Sequence, residues 1–211
     1  LIARLVIETN EMVIEHVGDI LRSVLDAECR TDSVADRERF AVAVHDSYLP
    51  WVVTCFLEPY RVKYKSGDKR NAVPTLAPVL TPYLNSAVFY SSMRVITETL
   101  CFCCTALGYR FKYFIIRNQL ISKSLALLLT CGQKAVYLHA IKFIFSIVKM
   151  RDEMNFKQWV KLDLLKPLFE LMVSLSSRDN LLLSAIIELI DFIRAEGITI
   201  LIEYIVEKHS Q

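Results

Sequence analysis

An all-α fold, a right-handed α-solenoid of ARM/HEAT-like helical repeats, is what this 211-residue sequence predicts, and three observations carry it. Apolar residues make up 54% of the chain while glycine and proline number only 5 and 6, which leaves little material for the tight turns of a β-rich fold. Apolar positions recur at helical spacing through most of the length. From residue 72 onward they also recur at a longer period. Leu76, Leu120 and Leu164 lie 44 apart, as do Leu84, Leu128 and Met172, while Met93, Leu138 and Leu183 lie 45 apart, as do Ile96, Ile141 and Ile186 and also Cys103, Val148 and Ile193. A period of about 40 to 47 residues with two or three helices per unit is the signature of HEAT and armadillo repeats.

The elements follow in order. Leu5, Val6, Met12, Val13, Val17, Ile20, Leu21, Val24 and Leu25 have helical spacing and run into a polar loop, "DAECRTDSVADRER". A second helix carries Phe40, Val44, Leu49, Val52, Val53 and Phe56, with Pro50 bending or restarting it. Residues 58–71 turn basic and polar and read as a long loop; 61–70, "RVKYKSGDKR", hold five basic side chains against one acid. Three units of paired helices then lie near 72–108, 109–152 and 156–197, giving with 1–57 a single helical-repeat domain over 1–211. The opening "LIARLVIETN" has no Met and no signal-peptide pattern, so the chain reads as an excised piece of a longer protein.

The stretch Arg178 to Arg194, "RDNLLLSAIIELIDFIR", is predicted to be an inner solenoid helix. Leu182, Ala185, Ile186, Leu189, Ile190 and Ile193 cover a wide buried arc, leaving Ser184, Glu188, Asp191 and Ala195 as one narrow polar strip. Asp179 or Asn180 caps its start and Gly197 closes its end.

Several chemistries are excluded. No phosphate-cradling glycine loop, GxSxG or HExxH is present. The uncharged stretch from Asn71 to Met93 contains Pro74, Pro78 and Pro82 and is rejected as a membrane span. The six cysteines lack regular pairing distances and read as reduced, buried thiols of an intracellular protein. "CFCC" at 101–104 has no second Cys/His pair at a zinc spacing, so neither metal nor cofactor is expected. His139 near Cys131 is read as a core or surface histidine rather than as half of a catalytic dyad. Asp152 and Glu153 read as a helix end. In "YRFKYFIIR", 109–117, Phe111, Phe114 and Ile115 should face the core, leaving Arg110, Lys112, Tyr113 and Arg117 outside.

The segments "FKYFIIRNQL", "KMRDEMNF", "LLKPLFELM" and "SRDNLLLSAIIELIDFIRAEGITILIEYIVE" resemble the helical-repeat domain of the protein phosphatase 4 regulatory subunit 3, or suppressor-of-MEK, family. The most specific match is R-x-N-L-x-x-S-A-I-I-E-L-x-x-F-I-R, met from Arg178 to Arg194; Ile190 departs from the family's usual aromatic. The resemblance implies a non-catalytic subunit that joins the phosphatase 4 catalytic subunit and its second regulatory subunit, and brings substrate or adaptor proteins to them. It also implies nuclear and cytoplasmic residence and roles in the cell cycle and the DNA-damage response. The residues expected to contact partners are Lys112, Arg117, Arg178, Asn180, Glu188 and Arg194. A nucleic-acid-binding solenoid using the basic regions 61–70 and 110–123, or a spacer with no partner of its own, are the alternatives.

Overall fold

Asn10 caps the first helix among the described residues by two means: its side-chain Oδ1 accepts from Met12 N at 3.0 Å, and its carbonyl accepts from Val13 and Ile14. In this computed structural model the described residues are 10–25, 36, 39, 42–50, 87–122, 124–125, 134–175 and 180–209, and every regular element among them is helical. The basic loop 58–71, the proline-rich stretch before Ala87, and Arg178 and Asp179 lie outside them. The chain divides into two compact units, Leu1–Leu120 and Ile121–Gln211.

The first unit contains α1 (Glu11–Leu25), a π-helical turn (Val44–Tyr48), α2 (Ala87–Ala106) and α3 (Tyr109–Arg117). Helices α1 and α2 pack together. Ile14, Val17 and Val95 form their buried seam, flanked by Ser91 Oγ donating to Glu11 Oε1 and Arg94 Nη2 donating to Glu15 Oε1, each at 2.5 Å. Partner numbers ascend together (11 with 91, 15 with 94, 18 with 95), so the helices run in the same sense across their contact. Met12 and Ile20, which share the apolar spacing, are exposed on the far side.

Pro50 leaves its mark as the π turn. A proline ring clashes with the carbonyl four residues back and supplies no N–H. The helix accommodates it by widening one turn, so that Leu49 N donates to Val44 O, and residues 49 and 50 remain helical.

The second unit contains α4 (Lys134–Lys149), α5 (Glu153–Leu162), α6 (Lys166–Leu175), α7 (Leu181–Ala195) and α8 (Thr199–His209). Helix α7 packs on α4, α6 and α8, and α8 packs on α5. Ile141, Ile144, Ile147 and Val148 from α4, Trp159 from α5 and Ile186, Leu189 and Ile193 from α7 are among its buried apolar residues. Corners between helices are tight. Asp163, at φ 52°, ends α5, with Leu164 N donating to Trp159 O and Asp163 N to Val160 O. Gly197, at φ 61°, ends α7 in the same way, with Ile198 N donating to Ile193 O and Gly197 N to Arg194 O. Gly197 therefore closes the helix as its sequence position predicts.

The exposed arc of α7 is wider than the sequence indicates. Ser184, Glu188, Asp191 and Ala195 are all exposed, but so are Leu181, Ile187 and Arg194, and Ala185 and Ile190 are only half-buried. The fully buried seam is Leu182, Ile186, Leu189 and Ile193, a spacing of i, i+4, i+7, i+11. Neighbours on one side of a helix cover an arc of about 100°, and the sequence cannot tell an apolar residue inside that arc from one just beyond it.

Candidate functional surfaces

Short helix α3 is held at both ends by positive-φ residues. Gly108, at φ 46° and ψ −117°, lies in a region open to few residues other than glycine, and turns the chain from α2 into α3 within two residues. Gln119, at φ 53°, ends the helix, where Asn118 Nδ2 donates to Phe114 O at 2.9 Å. The inner face is as predicted: Phe111, Phe114 and Ile115 are buried, with the two phenyl rings stacked at 5.8 Å and the His45 ring edge-on to Phe114 at 5.7 Å. The π turn thus supports the back of α3.

Outward, Arg110, Tyr113 and Arg117 are exposed, as expected, and Lys112 is half-buried. Tyr109, which sequence reasoning did not single out, is 69% exposed beside Tyr113 at 45%. Their hydroxyls share a hydrogen bond of 2.7 Å and their rings meet edge to face at 5.1 Å. Lys112 Nζ sits 5.5 and 5.7 Å from the two ring centroids, a geometry in which the ring faces attract the ammonium. The i, i+4 spacing of two tyrosines was the available signal for this pair.

On α7, Asn180 is the helix cap: its Oδ1 accepts from Leu182 N at 3.2 Å and its carbonyl accepts from Ser184 N at 3.0 Å. Glu188 is exposed. Arg194 donates to Asp191 Oδ1 at 3.2 Å across one turn, an exposed pair that contributes about 0.3 kcal/mol. Of the six residues expected to meet partners, Lys112 and Arg117 fall on α3, and Asn180, Glu188 and Arg194 on α7; Arg178 lies outside the described residues.

Two thiols of the "CFCC" stretch are poorly suited to nucleophilic chemistry. Cys103 and Cys104 are buried and free, and burial pushes the Cys103 thiol up to about 12 and that of Cys104 higher still, with Cys101 adding to both. Such thiols hold their protons at neutral pH. Among the described residues no group of three His, Cys, Asp or Glu side chains gathers as metal ligands. His139 is described, but Cys131 is not. Asp152 caps α5, accepting from Asn155 N at 3.0 Å and Asn155 Nδ2 at 2.8 Å, and Glu153 pairs with Lys157 at 3.4 Å. Among the described residues no helix is long and apolar enough to cross a membrane.

Comparison with known proteins adds identity to this geometry. Residues 1–211 match the family described as phosphatase 4 regulatory subunit 3. The chain is 30% identical over 172 residues to serine/threonine-protein phosphatase 4 regulatory subunit 3 of Drosophila melanogaster, covering 76% of the chain and 17% of that protein. It is 33% identical over 147 residues to protein PPP4R3C1 of Mus musculus, 70% of the chain and 17% of the relative. Suppressor of Mek1 of Dictyostelium discoideum is 28% identical over 207 residues, 93% of the chain and 18% of the relative. The chain therefore spans about a sixth of the length of these relatives. No solved structure matches it.

Proposed function

The chain belongs to the phosphatase 4 regulatory subunit 3 family, and from that premise we propose that it is the helical-repeat part of a non-catalytic regulatory and targeting subunit of the phosphatase 4 Ser/Thr phosphatase complex. The observation that carries the reading is the family match over residues 1–211. Packing within the second unit supports the repeat architecture. Helices α4 and α7 pack together, as do α5 and α8, and the members of each pair start 47 and 46 residues apart in sequence (134 and 181, 153 and 199). The aligned positions Ile96, Ile141 and Ile186, and Cys103, Val148 and Ile193, are buried in α2, α4 and α7 alike. We read this as a right-handed ARM/HEAT-like solenoid forming one repeat domain, in which equivalent helices stack on one another.

Such a solenoid contributes an extended surface, and the chemistry takes place on the catalytic subunit. In this reading the exposed faces of α3 and α7 bind partner proteins, substrates or holoenzyme subunits in the nucleus and cytoplasm. Asn180 serves chiefly as a cap, so Arg178, Glu188 and Arg194 on the second unit and Lys112 and Arg117 on the first are the proposed contacts. Pull-down of purified phosphatase 4 catalytic and second regulatory subunits by this chain, wild type and Arg178→Ala/Glu188→Ala, tests the reading. Capture by the wild type that the double change abolishes is expected. Failure of a folded wild-type chain to capture either subunit overturns holoenzyme assembly on this domain.

A further inference from the structure

The α3 surface has a charge pattern and spacing that specify more than a general partner site. "YRFKYFIIR" holds three cations and no acid in nine residues. Arg110, Tyr113 and Arg117 lie at i, i+3 and i+7 on the exposed side, so the two arginines start about 10.5 Å apart along the axis. An extended peptide covers about 13 Å in four residues and turns residues i, i+2 and i+4 to one face. Two carboxylates four residues apart in such a strand can therefore each meet one guanidinium, the long arginine side chains splaying to cover the difference in span, while an apolar or aromatic side chain midway between them lies on the exposed ring of Tyr113. Tyrosine and arginine are the residue types that anchor protein interfaces, and both tyrosine rings are exposed yet ordered by their shared hydrogen bond and by Lys112. The buried face of Phe111, Phe114 and Ile115 and the positive-φ corners at Gly108 and Gln119 hold this array in place, which lowers the ordering cost of binding.

We propose that the outward face of α3 docks an acidic, extended segment of a protein partner, Arg110 and Arg117 each taking a carboxylate and Tyr113 the side chain between them. The proposal deepens the reading of this chain as a partner-binding subunit and rests on it. A nine-residue helix is only about 13.5 Å long, too short a basic stripe to follow a nucleic-acid backbone, so a peptide is the favoured occupant.

The test is fluorescence anisotropy on the 211-residue chain with fluorescein-labelled 12-residue peptides. One carries two glutamates four residues apart with a phenylalanine midway between them, a second has the same composition with the glutamates adjacent, and a third has lysines in their place. An unlabelled single-stranded oligonucleotide serves as competitor. The spaced peptide is expected to bind at least about fivefold more tightly than the adjacent one, the lysine peptide not at all, and affinity is expected to fall with salt. Arg110→Glu/Arg117→Glu should abolish binding, and Arg110→Gln/Arg117→Gln, which removes charge without reversing it, should weaken it by about tenfold or more; far-UV circular dichroism checks that both fold. Equal binding of all three peptides, indifference to the glutamine pair, or displacement by the oligonucleotide at lower concentration than by the spaced peptide would overturn the proposal. Capture of the phosphatase subunits is read separately on the same variants: a chain that binds the spaced peptide but captures neither subunit defeats the holoenzyme reading and leaves the docking site standing.

Discussion

A methyl group added at Gly18 should weaken the first unit even though alanine is the better helix former. The Cβ of an alanine there would lie 2.9 Å from Val95 Cγ2 and 3.0 Å from Val95 Cγ1, inside the distance that carbon atoms tolerate. Val95 cannot step aside: it is 1% exposed, and a β-branched side chain in a helix has one strongly preferred rotamer. Replacing glycine by alanine in a helix gains about 1 kcal/mol, whereas overpacking a closed seam costs about 1 to 3 kcal/mol. The expected net change is destabilisation by about 1 kcal/mol. In a Val95→Ala background the obstruction is gone, so Gly18→Ala should stabilise by about 1 kcal/mol, giving a coupling near 2 kcal/mol across the cycle. Hydrogen-exchange mass spectrometry on peptides covering 87–106 reads the opening free energy of this helix pair without averaging over the second unit. If Gly18→Ala stabilised the wild-type chain and the cycle were additive within about 0.5 kcal/mol, the close approach of α1 to α2 would be refuted.

Two further outcomes are expected. Tyr204→Phe removes the bond that the buried Tyr204 hydroxyl donates to Asp163 Oδ1 at 2.5 Å, at a cost of about 1.5 kcal/mol in urea denaturation. The Tyr204 phenol is held above its ordinary value, first by burial and then by Asp163, so the unfolded chain gives up this proton at lower pH than the folded one. Its stabilising contribution is therefore full below about pH 10 and declines as pH rises toward the folded value, by at most about 1.4 kcal/mol per pH unit, and Tyr204→Phe should lack that share of the decline. Asn180→Ala should lower stability by about 1 kcal/mol through loss of the cap, whereas Glu188→Ala should leave it within about 0.5 kcal/mol, which separates a residue that holds the helix from one proposed to meet a partner.

The helices were legible where apolar spacing and punctuation agree. The cap at Asn180, the left-handed close at Gly197 and the buried Phe111, Phe114 and Ile115 follow from residue types whose local physics leaves little choice. Other features depend on tertiary neighbours. Asp163 and Arg151 adopt positive φ without being glycine; aspartate is among the few side chains that tolerate it, but nothing local in "KMRDE" announces it at Arg151. Met12 and Ile20 are exposed although their spacing is that of core residues, because burial depends on which neighbour arrives. The π turn was visible only as a proline in a helical pattern. The candidate surface on α3 was half legible: its cations were, but Tyr109 gains significance only through the hydroxyl it shares with Tyr113.

The proposed repeat shows in the sequence through apolar positions alone, and polar contacts within the second unit give a reason. Arg151 and Glu196, 45 residues apart, form an ion pair, and Asp163 lies 3.8 Å from Lys208, again 45 apart. Residues that occupy equivalent places in successive units become neighbours when those units stack. An apolar residue can stand beside its own kind, which lets isoleucine recur at 141 and 186, both buried on the packed helices α4 and α7. A charge cannot, since like charges at that spacing repel, so equivalent polar positions must change sign from one unit to the next. Each such exposed pair adds only about 0 to 1 kcal/mol, and avoiding repulsion is reason enough for the alternation. Divergence at polar sites is thus what the stacking of near-identical apolar faces requires.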